Sequence, residues 1–182
     1  MQQSELNQTD RELVRGCLGN DRLVQRTLYE RFSTRLYTLA YRLINDRDAS
    51  NDVLQDAFIE IFRSMAGFRF ESSLYTWMRT IVIRNAMSYL KKNARLQVIT
   101  DEIADQASEI SFNFTAEHLE KAILSLPAQA RSVFILIEVE GYKHQEVAEI
   151  MNISEGTSKS QLNYAKTILR KRLSKPSYEQ RV

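Results

Sequence analysis

The chain has 182 residues, 43% of them hydrophobic and 26% charged, with a formal net charge of +2. This is enough for one ordinary domain or two small ones, and too apolar for a disordered chain. Cys17 is the only cysteine, so an intrachain disulfide is excluded, and with His118 and His144 as the only histidines a Cys/His zinc site is excluded as well.

The low glycine and proline content, 5 and 2 residues, favours helices over a β-rich fold. No apolar run approaches the ~18 residues a membrane span needs. The N-terminus has no apolar stretch of the kind that starts a secretion signal, so a cytoplasmic protein without membrane insertion is expected.

Residues 1–8 are polar and are expected to fray. Thr9 and Glu12 have capping-box spacing and predict a short helix through Leu13, Val14, Cys17 and Leu18, ended by Gly19-Asn20-Asp21. A longer helix is expected from about Arg22 to Asn45, with Leu28, Phe32, Leu36, Leu39, Leu43 and Ile44 on one face. Asn45 to Asp48 read as a polar turn. From about Ser50 to Met65, the residues Val53, Leu54, Ala57, Phe58, Ile61, Phe62 and Met65 repeat with a strong helical period.

Residues 67–73 form a loop with two aromatics and an arginine. A fourth helix follows from about Leu74 to Lys92, with Trp77 on its apolar stripe. Between Arg63 and Arg95 stand seven cations (Arg63, Arg69, Arg79, Arg84, Lys91, Lys92 and Arg95) against the single acid Glu71. Cations interleaved with Phe68, Phe70, Tyr75 and Tyr89 suit single-stranded nucleic acid, since cations track phosphates while rings hold unstacked bases.

Residues 96–119 carry Asp101, Glu102, Asp105, Glu109 and Glu117 with no Lys or Arg, and read as a flexible acidic linker. Beyond it, a helix through Leu119, Ile123 and Leu124 precedes Leu126-Pro127. Pro127 opens a helix through Ala130, Val133, Phe134, Leu136, Ile137 and Val139, which Gly141 ends.

The stretch 142–173 has the pattern of a helix-turn-helix. Val147, Ala148, Ile150 and Met151 form a short apolar face, Asn152-Ile153-Ser154 is the turn, and Ser154 can cap a second helix with Leu162, Ala165, Leu169 and Leu173 at helical spacing. The second helix is basic and has no acid from Gly156 to Leu173. Its N-terminal half would enter the DNA major groove, where Lys159, Ser160, Gln161 and Asn163 are spaced to reach base edges.

Taken together, the chain resembles bacterial RNA polymerase sigma factors of the extracytoplasmic function (ECF) group. Ser50-Asn51-Asp52-Val53-Leu54-Gln55-Asp56-Ala57-Phe58 looks like the family's core-polymerase-binding helix, with Asn51 where Glu is usual. Phe68 through Leu90, with Thr76-Trp77-Met78 and Ile83-Arg84-Asn85-Ala86, looks like its promoter-melting segment. Leu126-Pro127 and Glu155 to Ser160 look like its fourth region, with Ser158 where many members have Val and Gln161 where many have Arg.

The resemblance implies an all-α fold of two small helical domains, 1–95 and 117–182, joined by a linker over 96–116, with the helix-turn-helix in the second. It implies contacts to core RNA polymerase through Asp48, Asp52, Gln55, Asp56 and Phe58. It implies −10 promoter contacts through Phe68, Arg69, Phe70, Ser72, Ser73, Arg84 and Asn85, and −35 contacts through Thr157, Lys159, Ser160, Gln161, Asn163, Tyr164 and Lys166. An anti-sigma factor is a further implied partner. The activity is binding, so no catalytic residue, metal or cofactor is expected. Free protein should bind DNA poorly, because the acidic linker offsets the basic surfaces.

The main rival is a helix-turn-helix regulator that does not bind core polymerase. It explains 142–173 but not the aromatic-basic segment. An enzyme has no phosphate-binding Gly loop or nucleophile signature to support it.

Overall fold

The computed structural model describes residues 2–97 and 116–173, with side chains described from residue 9 to 93 in the first stretch. Every regular element among them is helical. The chain divides into two compact units, Met1–Lys91 and Lys92–Val182, and the division falls inside a helix.

The first unit holds α1 (Gln2–Leu18), α2 (Arg22–Ile44), α3 (Arg47–Ser64) with a one-turn 3-10 extension (Met65–Gly67), and α4 (Leu74–Gln97). Helix α1 begins well before Thr9, so Thr9 lies inside the helix and the capping box read there is not a helix start. The preceding residues lack Gly and Pro, and Glu, Gln and Leu propagate a helix readily. Asp21 caps α2, its carboxylate accepting from the Leu23 and Val24 N–H groups at 2.9 and 3.3 Å. The expected apolar face of α2 is buried in full, from Leu28 to Ile44.

Helix α2 ends at Asn45, whose φ of 61° is left-handed. Asp46 then caps α3 by accepting from the Ala49 N–H at 2.8 Å. The helix therefore starts at Arg47, and the polar turn expected through Asp48 is two cap residues, Asn45 and Asp46, followed by helix. Helix α4 packs Leu74, Met78, Ile81, Val82, Ile83 and Ala86 into the core of this unit, each at most 2% exposed. It runs to Gln97, past the expected end at Lys92.

The second unit holds α5 (Ala116–Leu124), α6 (Ala128–Phe134) with a π-helical turn (Ile135–Val139), α7 (His144–Met151) and α8 (Glu155–Leu173). The run from Val133 to Ile137 is helical, as its length and leading proline imply. The π-turn, with the Glu140 N–H donating to the Ile135 carbonyl at 2.9 Å, was not legible from the pattern. Arg131 is buried. Its guanidinium donates to the carbonyls of Leu124 and Leu126 at 3.1 and 2.9 Å, closing the C-terminal end of α5 where the helix dipole favours a cation. Of the linker expected over 96–116, residues 98–115 lie outside the described residues.

Candidate nucleic-acid and polymerase interfaces

Helices α7 and α8 form the expected helix-turn-helix. The turn is made by Asn152, whose φ of 54° suits asparagine. Ser154 caps α8, accepting from the Thr157 N–H at 2.9 Å. At the start of α7 the Glu146 carboxylate accepts from the Lys143 N–H at 2.6 Å. The inward face of α8 is Ser158, Leu162, Ala165 and Leu169. Ser158 is fully buried, and its hydroxyl bonds the His144 Nδ1 at 2.9 Å, so a polar pair stands inside the motif at the position where the family often has Val.

On the outer face of α8, Lys159, Ser160, Asn163 and Tyr164 are exposed together, Tyr164 by 51%. Thr167 and Lys171 continue that face and were not among the expected residues. Their signal was spacing, four and eight residues beyond Asn163. Thr157 and Gln161 are half-buried on the flank. Lys159 pairs with Glu155 at 2.6 Å, which holds the Glu155 carboxyl below its ordinary pKa. Lys166 turns away from the outer face to Glu138 on the π-turn, at 2.8 Å. Lys166, expected among the −35 contacts, thus ties α8 to the π-turn within its own unit, as Lys159 ties to Glu155.

In the first unit, the loop 68–73 presents an aromatic ladder. The Phe70 ring lies 4.7 Å from Phe68, and Phe68 lies 5.2 Å from Trp77. Phe68 is buried at 7% exposure and Trp77 is half-buried, whereas Phe70 is 40% exposed. Phe68 is thus the support and Phe70 the accessible ring, a correction for Phe68. Trp77, expected in the core, is only partly covered because it sits on the edge of the α4 stripe.

Phe70 has a φ of 59°, a left-handed conformation that costs an aromatic residue on the order of 1 kcal/mol and that surrounding contacts must hold. Ser73 caps α4, its hydroxyl accepting from the Thr76 N–H at 3.1 Å. Arg69 and Ser72 are exposed. Arg84 and Asn85 converge on one carboxylate of α3. Glu60 accepts from Arg84 Nη2 at 3.0 Å and from Asn85 Nδ2 at 2.8 Å.

On α3, Asp48, Asp52, Gln55 and Asp56 are all exposed and span roughly 100° of the helix surface at 100° per residue. Ile59, 49% exposed, lies on the same face and was not singled out. An isoleucine four residues after Gln55, off the buried stripe, was the available signal. Phe58 is 4% exposed and its ring lies 4.6 Å from Tyr29, so it supports this surface from beneath and does not form it. Among the described residues, no His, Cys, Asp or Glu cluster could hold a metal ion, and no helix is long and apolar enough to cross a membrane.

A basic helix-turn-helix in one unit and an aromatic-basic loop beside an acidic helix face in the other define an all-helical nucleic-acid-binding protein. Comparison with known proteins identifies the class. Residues 28–96 match sigma-70 region 2, and residues 116–169 match sigma-70 region 4. The ECF RNA polymerase sigma-E factor of Haemophilus influenzae is 26% identical over 181 residues, covering 91% of this chain and 95% of its own. That of Escherichia coli K12 is 27% identical over 170 residues, covering 85% and 88%.

The sigma factor RpoE of Bartonella quintana, solved in complex with the anti-sigma factor NepR, shares the fold with a TM-score of 0.57 and 24% identity, over 81% of this chain and 95% of that one. The chain belongs to the sigma-70 family, among the ECF RNA polymerase sigma factors.

Proposed function

We infer that this ECF sigma factor binds core RNA polymerase and directs promoter recognition and the start of transcription, working as a binding protein in the cytoplasm with no catalytic step of its own. The carrying observation is that region 2 and region 4 both match, in order, on one chain. A stand-alone helix-turn-helix regulator would leave residues 28–96 unexplained.

In this reading residues 1–95 and 117–182 act as two modules. Asp48, Asp52, Gln55 and Asp56, with Ile59 among them, meet the polymerase. Lys159, Ser160 and Asn163 on α8 read the −35 element in the major groove, with Tyr164 beside them and Thr157 and Gln161 at the flank. Polar side chains of this kind bond adenine or guanine edges. The loop with Arg69, Phe70, Ser72 and Ser73 captures a base flipped from the −10 element, with Arg84 and Asn85 nearby. Flipping costs a few kcal/mol, which stacking and phosphate contacts offset. An anti-sigma factor is the partner expected to hold the protein inactive.

The test is a pair of double variants in holoenzyme. Phe70→Ala with Ser72→Ala should impair open-complex formation and leave −35 duplex binding intact. Ser160→Ala with Asn163→Ala should do the reverse. Equal loss of both functions in either variant would sink the assignment of the two surfaces.

A further inference from the structure

Helix α1 lies ahead of the matched residues 28–96, yet two consecutive side chains of it are built into the loop just described. Asp10 is buried, and its Oδ2 accepts from the Leu74 N–H at 3.2 Å, across 64 residues of sequence. Leu74 is the first residue of α4, so this carboxylate sits where the helix dipole favours negative charge and fixes the end of the loop. Arg31 of α2 stands 4.0 Å from the other carboxylate oxygen. Arg11, the next residue, is exposed, and its guanidinium lies over the Phe70 ring, 5.2 Å from the centroid.

A cation–π contact engages the charge of the guanidinium and leaves its N–H donors available to a phosphate. The ring beneath is the exposed one, held in a left-handed backbone conformation.

We propose that α1 is a wall of the −10 strand site, in which Asp10 positions the loop and Arg11 contacts the phosphate flanking the base captured at Phe70. The proposal rests on the reading of the loop given above. Two consecutive helix residues point 100° apart. One is therefore able to face inward to α4 while the other reaches the ring at the surface. The loop's conformation then depends on a helix outside the family's matched segment.

The test uses full-length protein assembled with core RNA polymerase and a fluorescent single strand carrying the −10 sequence, titrated at several salt concentrations beside a scrambled strand. Arg11→Ala should weaken binding to the −10 strand on the order of fivefold, and should flatten the slope of log affinity against log salt by about 0.7, the change for one lost phosphate contact on a single strand. Arg11→Lys should restore the slope. Assembly with core polymerase and binding of −35 duplex should match wild type in both variants, which a general loss of structure would not allow.

An Arg11→Ala slope equal to wild type, with wild type still preferring the −10 strand, would overturn the role of α1 and leave the loop reading standing. Wild type with no preference for the −10 strand would overturn the loop reading and this proposal with it.

Discussion

Glu60 is the side chain whose replacement separates masking from orientation at the proposed −10 surface. Its carboxylate bridges Arg84 and Asn85 at 3.0 and 2.8 Å, so the free protein presents these two DNA-facing candidates already bound to an anion. Glu60→Gln keeps the shape and an acceptor oxygen while removing the charge. The stability change should be small. The Glu60 and Arg84 side chains are 42% and 60% exposed, and such a pair is worth about 1 kcal/mol or less.

The effect on DNA should exceed the effect on the fold in proportion. A unit negative charge about 7 Å from a phosphate in solvent-like dielectric opposes binding by about 0.6 kcal/mol, and more where water is partly excluded, so affinity should rise about two- to fivefold. Anisotropy with a −10 single strand on holoenzyme, near 0.1 M salt, measures this, with thermal unfolding as the control. Weaker binding by a variant of unchanged stability would refute the argument, because Glu60 would then be orienting Arg84 and Asn85 for DNA.

Ser158→Ala removes the hydroxyl bonded to His144 and should cost about 1 kcal/mol in urea unfolding of the intact protein, since half-buried His144 can turn to water. Burial pushes the Cys17 thiol pKa up, with Asp21 adding to the shift. Alkylation at pH 8 should accordingly be slow in the native protein and fast in denaturant. Gly16→Ala places a Cβ 2.7 Å from both Val24 methyls. It should destabilise by about 1–3 kcal/mol through overpacking, less about 1 kcal/mol returned by helix propensity. It should also speed Cys17 alkylation, because α1 is pushed from α2. Unchanged alkylation would show that Val24 yields instead.

Features with short sequence range were legible. The 3.6-residue period placed the buried faces of α2, α3 and α8, and Ser154 ahead of the second helix announced the cap that starts α8. Two-sided features were harder. An aromatic residue within a family motif, such as Phe58 or Phe68, reads equally as contact or as core, and only burial decides. Ser158 sits four residues before Leu162 on the inward face, but a serine gives no apolar signal.

The pairs that organise the proposed −10 surface were invisible, because Asp10 with Leu74 and Glu60 with Arg84 and Asn85 are joined by the fold and not by spacing. The start of α1 was missed for a related reason. Its polar first turns show no amphipathic period, so propensity alone carries them.

Run-off transcription tests the central claim most directly. Purified protein is added to sigma-free core RNA polymerase with fragmented genomic DNA, and transcript starts are sequenced. The account predicts discrete starts that share a two-part upstream motif and depend on the added protein. No protein-dependent starts, together with no association with core polymerase on gel filtration, would contradict it.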